Sequence, residues 1–184
     1  MTDIVCVAAL PAELPQEQFN FRFPLVYTGV GKLNSALATY EAIRNHNPKL
    51  IINVGTAGSL RVTQGKVVEI KEVVQRDFNA EPLAPRGIIP YQETFHTIRS
   101  NYGEYICGTG DSFVTSIDPW FLDNKVDVVD MELFGIAYTC ARMGIEWRSV
   151  KYITDLVGSN SGEDWKIWLN KAPIQLINWL RENM

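Results

Sequence analysis

The stretch that most constrains this chain runs from Val126 to Asp155, V-D-V-V-D-M-E-L-F-G-I-A-Y-T-C-A-R-M-G-I-E-W-R-S-V-K-Y-I-T-D. Val126, Val128 and Val129 are β-formers that lead into a polar tip, Asp130-Met131-Glu132. Phe134, Ala137, Cys140 and Ala141 then recur at helical spacing. Gly144 stands where a left-handed residue commonly ends a helix. Ile145 to Thr154 is rich in β-branched and aromatic residues and reads as a second strand, ending on Asp155. A strand-helix-strand unit predicts two parallel strands with their C-terminal ends on one sheet edge, where ligands bind in open α/β folds. Glu132 and Asp155 are thereby expected to converge. Acids at strand ends are also common as solvated turn residues, and spacing alone leaves both readings open.

The rest of the chain extends the same alternation. Ile4 to Leu10 is a short apolar run closed by Pro11, with Glu13 in the turn that follows. Leu25 to Thr28 is a second strand. Gly29-Val30-Gly31 forms a tight turn into a helix from Lys32 to about Asn45, with Leu33, Ala36, Leu37, Tyr40 and Ile43 as its expected buried stripe. The turn satisfies neither a phosphate loop nor a dinucleotide fingerprint, because Val26, Leu33 and Asn34 stand at required positions. Its glycines read as structural.

Leu50 to Val54 is a buried strand that opens into Gly55-Thr56-Ala57-Gly58-Ser59. That loop could cradle an anion, a sugar or a base, or could be a plain tight turn. Lys66 to Gln75 suggests one or two strands of a hairpin or meander. Arg76 to Arg99, with Pro82, Pro85, Pro90 and Gly87, reads as a long loop. Glu104 to Thr109 is a strand, followed by Gly110-Asp111-Ser112-Phe113, where the aromatic ring suits either a core or a planar ligand. Trp120 and Phe121 are read as covering the sheet. After Asp155 a polar loop spans Gly158 to Gly162. A helix carrying Trp165, Trp168, Leu169 and Ala172 follows, broken or kinked at Pro173. The alternation predicts a single α/β domain over residues 1–184, a three-layer α/β/α arrangement with a central mixed sheet.

Composition narrows the function. A formal net charge of -4 gives no electrostatic footprint for nucleic acid. No apolar run is long enough to span a bilayer, and no basic signal segment opens the chain, so a cytoplasmic location is expected. Cys6, Cys107 and Cys140 lie in apolar segments and read as buried thiols. His46 and His96 lack the neighbours that metal binding or nucleophile activation needs. Carboxylates are left to carry the chemistry.

Six motifs in order give the chain a resemblance to a known family. They are V-A-A-L-P-A-E-L, T-G-V-G-K, I-I-N-V-G-T-A-G-S-L, G-T-G-D-S-F-V, V-D-M-E and Y-I-T-D, spanning Val7 to Asp155. Together they resemble the nucleoside phosphorylase and nucleosidase family, and within it the 5′-methylthioadenosine/S-adenosylhomocysteine nucleosidases. The resemblance implies Glu13 as the base for the attacking water and Asp155 as the acid that protonates the purine at N7. It implies Met131 and Glu132 under the ribose, Thr56 near water and sugar, and Phe113 against the base with the Val114 backbone beside it. Lys151 falls where an arginine usually supports the catalytic carboxylate. Val30, Leu10 and Trp165 are candidates for the wall around the 5′ group.

This chemistry has physical requirements. Breaking an N-glycosidic bond needs an acid for the leaving base and a base for water on the opposite side. Asp155 should therefore be partly buried with a raised pKa, and Glu13 ionised in a wetter setting. Glu132 should gain interaction as positive charge develops on the sugar. No metal or organic cofactor is required. Phosphorylases of the hexameric branch hold phosphate with arginines where this chain has Ala12-Glu13-Leu14 and Asn53. Water is thus the expected nucleophile, with an atypical phosphorylase or a non-catalytic nucleoside-binding relative as alternatives. The segment between Glu13 and the next strand is short for the family. A homodimer is expected by the same resemblance, with the tryptophan-rich C-terminal helix or the proline-rich loop as its interface.

Overall fold

A computed structural model describes residues 3–158 and 161–184. Eight strands form one mixed sheet. They are β1 (Ile4–Ala8), β2 (Leu25–Tyr27), β3 (Leu50–Ser59), β4 (Val67–Gln75), β5 (Thr97–Arg99), β6 (Tyr105–Thr109), β7 (Val128–Asp130) and β8 (Glu146–Leu156). The helices are α1 (Lys32–His46), α2 (Pro119–Asp123), α3 (Leu133–Met143), α4 (Ser161–Leu169) and α5 (Ala172–Asn183).

Pairing runs β2-β1-β3-β7-β6-β4-β5, and β8 joins β3 to β4. The circuit β3-β7-β6-β4-β8 therefore closes on itself, while β1, β2 and β5 extend outward. Ala42 and Ile43 of α1 and Leu133, Ile136, Ala137 and Cys140 of α3 pack on one side of the sheet. Leu176, Ile177 and Leu180 of α5 pack on the other, with Leu14 and Phe19. The three layers expected from the alternation are present, around a sheet more closed than an open α/β edge.

That closure corrects the expected strand-helix-strand unit. β7 and β8 do not pair, and they run in opposite directions. β3 is parallel to β8 but antiparallel to β7. Their convergence comes from their common neighbour, since Gly58 of β3 is in register with Val129 on one side and Asp155 on the other. The register between β3 and β8 shifts by one residue here, because Thr154 is an extra residue on β8 between the partners of Ala57 and Gly58.

Other boundaries differ too. Gly55 to Ser59 continues β3 rather than leaving it as a loop, while Lys66 to Gln75 yields one strand, β4, the simpler of its two expected forms. The end of the expected long loop forms β5 against β4. Gly158 ends the described part of the polar loop; residues 159 and 160 lie outside the described residues, and Ser161 already begins α4.

α1 shows the largest reversal. Leu33, Leu37 and Tyr40 are exposed, and Ser35, Thr39, Ala42 and Ile43 face inward. The inward residues are mostly small because α1 sits hard against α3. A Cβ on Gly135 would lie 2.4 Å from the Lys32 carbonyl oxygen. The C-terminal tryptophans are also less free than expected. Trp168 packs 6.5 Å from the Tyr152 ring, and Arg148 stacks 4.5 Å above Trp179.

Candidate active site

Where β3 meets the bulge of β8 lies a cavity of about 240 Å³. Glu13, Thr56, Met131, Glu132 and Asp155 line it. Val30, Phe113 and Val114 border it too, as do Leu10 and Trp165. Segments distant in sequence thus meet here.

Glu13 enters from the turn after β1. Its Oε1 accepts from the Thr56 backbone N–H and the Thr56 hydroxyl, both at 2.8 Å. Its Oε2 accepts from the Leu10 N–H at 3.2 Å. The small-residue cradle foreseen at Gly55–Ser59 therefore binds an anion of the chain itself. The wetter setting expected for Glu13 is not found. The residue is 4% exposed, and protein donors satisfy it in place of bulk water.

Asp155 is 2% exposed, and a Cβ on Gly58 would lie 2.8 Å from its Oδ2. Only glycine at Gly58 leaves that carboxyl its seat. Burial raises the Asp155 pKa and Asp164 adds to the rise, while the Thr154 hydroxyl at 2.9 Å opposes it. The direction is the one an acid catalyst needs.

Glu132 precedes the first turn of α3. Gly31 holds it, its N–H donating to Oε1 at 3.1 Å. Gly31 has φ of 96°, a backbone state that side chains disfavour, so the glycine turn serves to present this N–H. Burial pushes the Glu132 carboxyl up to about 7, with Asp130 and Glu13 adding to the rise and Lys151 opposing it.

A pH dependence of stability follows. Between its ordinary value of 4.5 and about 7, folded Glu132 keeps a proton that the unfolded chain has released. Its contribution to stability is fully present below 4.5 and falls as pH rises through this window. Glu132→Gln removes that loss. Thermal melts should show the variant gaining on the parent from pH 4.5 to 7; a constant difference between the two would contradict the assignment.

Lys151 lies behind the cavity wall rather than on it. Its Nζ pairs with Asp130 Oδ2 at 2.7 Å, with both side chains 1% exposed. Burial disfavours the Lys151 ammonium, but Asp130 and Glu132 outweigh it and the net shift is upward. Asp130 also accepts from the Thr109 hydroxyl at 2.6 Å and the Leu133 N–H at 2.9 Å. The lysine therefore anchors the β7–α3 junction that carries Met131 and Glu132. Lys151→Met would strand the Asp130 charge, so urea unfolding should show a loss of about 3–5 kcal/mol. A loss under about 1 kcal/mol would mean that the pair is readily replaced by packing.

Sequence reasoning missed Asp130, and it missed Arg76. Arg76 is 4% exposed and borders the cavity. It donates from Nε to the Gly108 carbonyl at 3.2 Å and from Nη2 to the Gly110 carbonyl at 3.0 Å. It also reaches the Ser112 carbonyl, and the Ser112 hydroxyl at 3.2 Å. Four of its five donors are thus spent holding the strand end and loop that present Phe113. The available signal was an arginine closing an apolar strand, Val73-Val74-Gln75-Arg76, where a solvated loop residue was expected.

Phe113 is 48% exposed, which separates it from the core and leaves its ring at the cavity mouth. Among the described residues no three His, Cys, Asp or Glu side chains are grouped as metal ligands.

Known proteins share both sequence and shape with this chain. The 5′-methylthioadenosine/S-adenosylhomocysteine nucleosidase of Staphylococcus haemolyticus is 29% identical over 170 residues, covering 80% of this chain and 75% of the relative. Its counterpart in Anoxybacillus flavithermus is 26% identical over 175 residues, covering 82% and 75%. The fold matches a mutant of Helicobacter pylori MTAN crystallised with 5′-methylthioadenosine in its active site. There the TM-score is 0.89 at 19% identity, covering 98% of this chain and 96% of that one. Futalosine hydrolase of the same species also gives 0.89, at 20% identity, with 97% and 95% covered. Residues 24–177 match the sequence profile of the Phosphorylase superfamily, and the chain belongs to that superfamily.

Proposed function

We propose that this chain hydrolyses the N-glycosidic bond of a purine nucleoside, with 5′-methylthioadenosine and S-adenosylhomocysteine as the favoured substrates. The observation that carries this reading is the meeting of Glu13, Glu132 and Asp155 around one cavity, each in a different environment. Glu13 takes a proton from water as the water oxygen bonds to C1′. The C1′–N9 electron pair leaves with the base, and Asp155 donates its proton to N7. Glu132 meets the ribose hydroxyls and stabilises the positive charge that grows on the sugar. Met131 packs below the ribose. Val30, Leu10 and Trp165 border the 5′ substituent. The curated relatives named above carry the same activity in their names, which supports this choice of substrate.

Phosphorolysis is disfavoured by the spent donors of Arg76. With one of its N–H groups left, that guanidinium offers no bidentate seat for phosphate. A second reading, futalosine hydrolysis, has the matching fold in its favour. Chromatography of a nucleoside panel without phosphate separates them. Adenine release from 5′-methylthioadenosine supports the proposal; base release from futalosine alone would replace it.

Phe113 is the face on which the purine stacks. Phe113→Leu keeps apolar area but loses the flat ring, and stacking of this kind contributes about 1–3 kcal/mol. KM should rise more than kcat falls. An unchanged KM would remove Phe113 from the base site.

The proposal includes a cytoplasmic homodimer, placing the chain in nucleoside metabolism and methionine salvage. No helix among the described residues is long and apolar enough to cross a membrane. Leu33, Leu37 and Tyr40 form an apolar stripe on the outer face of α1, beside exposed Val30. A second copy of the chain is the occupant proposed for this exposed stripe, in place of the C-terminal helix or the proline-rich loop expected from sequence. Sedimentation should give twice 20.8 kDa, and a stable species of 20.8 kDa would contradict it.

A further inference from the structure

We infer that Trp165 is a positioning residue for Glu13, acting through the Thr56 hydroxyl. The inference rests on the hydrolytic reading above. The Trp165 indole Nε1–H donates to Thr56 Oγ1 at 3.2 Å, across 109 residues of sequence. Thr56 Oγ1 lies 2.8 Å from Glu13 Oε1.

The chemistry of the three groups fixes the direction of this chain of hydrogen bonds. An indole N–H can only donate, an ionised carboxylate can only accept, and a hydroxyl has one proton. The Thr56 oxygen therefore accepts from Trp165 and spends its proton on Glu13. Without the indole, the Thr56 oxygen loses the donor that fixes it on the side away from Glu13.

The arrangement also distinguishes the two oxygens of Glu13. Oε1 carries two donors at 2.8 Å, while Oε2 carries one at 3.2 Å. The larger unused acceptor capacity is on Oε2, which makes it the oxygen that takes the proton from water. Trp165 belongs to α4 and borders the cavity, whereas Thr56 belongs to β3. The seating of α4 against β3 is thereby tied to the orientation of the base. A phenylalanine at this position would cover the same wall but could not set the hydroxyl.

The experiment is a cycle of Trp165→Phe and Thr56→Val, singly and together, with 5′-methylthioadenosine as substrate. Trp165→Phe should lower kcat about fivefold, the scale of one hydrogen bond. KM should change by less than about twofold, since a lost orienting contact acts on turnover rather than on binding. In the Thr56→Val background the same change should add less than about twofold, because the shared link is already gone. Thr56→Ser keeps the hydroxyl and should restore the fivefold response to Trp165→Phe. A raised KM with unchanged kcat would make Trp165 a wall residue only. Multiplying effects in the double variant would make the two residues independent, and either result overturns the inference.

A readout without turnover keeps the two readings separable. The ¹⁵N-indole resonance missing from Trp165→Phe should move in Thr56→Val and hold its place in Thr56→Ser. A resonance unmoved by Thr56→Val overturns the contact. A parent protein that releases no base overturns the hydrolytic reading instead, while the resonance still decides the contact.

Discussion

Glu13→Gln is expected to abolish hydrolysis while leaving the fold and the affinity for a product purine almost unchanged. The amide preserves shape, and its carbonyl oxygen can still accept from Thr56 in the place of Oε1. It cannot take a proton from water. General-base catalysis alone accounts for about 10²–10⁴ in rate. Glu13 is buried among donors that suit a carboxylate, so the amide –NH₂ near the Leu10 N–H adds a local mismatch of about 1–3 kcal/mol at most. A thermal melt alongside the assay separates these effects. Near-parent base release by a well-folded variant would remove Glu13 from the mechanism. Were Glu13 only a turn residue after β1, Gln would be tolerated in both assays.

Asp155→Asn carries the second large effect. Asn cannot give a proton to N7, so turnover of ordinary purine nucleosides should fall by roughly 100-fold or more. Binding should survive better, since the amide still reaches N7 as a hydrogen-bond donor. Stability should move the other way. Burial disfavours the ionised Asp155, so the folded state binds its proton more tightly than the unfolded chain does. Stability from this group is fully present below its ordinary pKa of 3.8 and is lost as pH rises through the raised value. A neutral amide escapes that loss, so the variant should melt no lower than the parent at neutral pH. Loss of activity with a retained or raised Tm marks a residue kept for chemistry. Near-full turnover across pH 5 to 8, about the span in which a catalytic acid must hold its proton, would exclude that role.

Much of this site was legible because its residues break local rules. Glu132 and Asp155 end β-rich segments where water would ordinarily receive them, and both prove buried. Continuous apolar runs located β1 and the start of β3, since a strand covered on both faces needs no alternation, and β-branched and aromatic enrichment located β8. α3 was legible from the helical spacing of Phe134, Ala137 and Cys140, although the sheet and α1 together bury Leu133, Gly135, Ile136 and Thr139 as well.

What escaped depends on partners far away in sequence. Periodicity placed Ile43 on the inner face of α1 but set Leu33, Leu37 and Tyr40 there as well. Close packing on α3 selects the small residues Ser35, Thr39 and Ala42 for the inside, so the larger Leu33, Leu37 and Tyr40 face out. The closed strand circuit was equally hidden, because β7 is three residues long and meets β3 through register rather than through any local signal. Lys151 was noticed as a departure from the arginine its resemblance implied. Its partner Asp130 became clear only when β7 and β8 were placed on either side of β3. Arg76 stayed hidden because its bonds go mainly to backbone carbonyls, which every sequence supplies.

The most direct measurement is adenine release from 5′-methylthioadenosine by the parent protein as phosphate is raised from none to saturating, with the sugar product identified by mass. Rapid release without phosphate, a rate indifferent to its addition and free 5-methylthioribose as the product are the results predicted here. Release that requires phosphate and yields the sugar 1-phosphate would contradict the account.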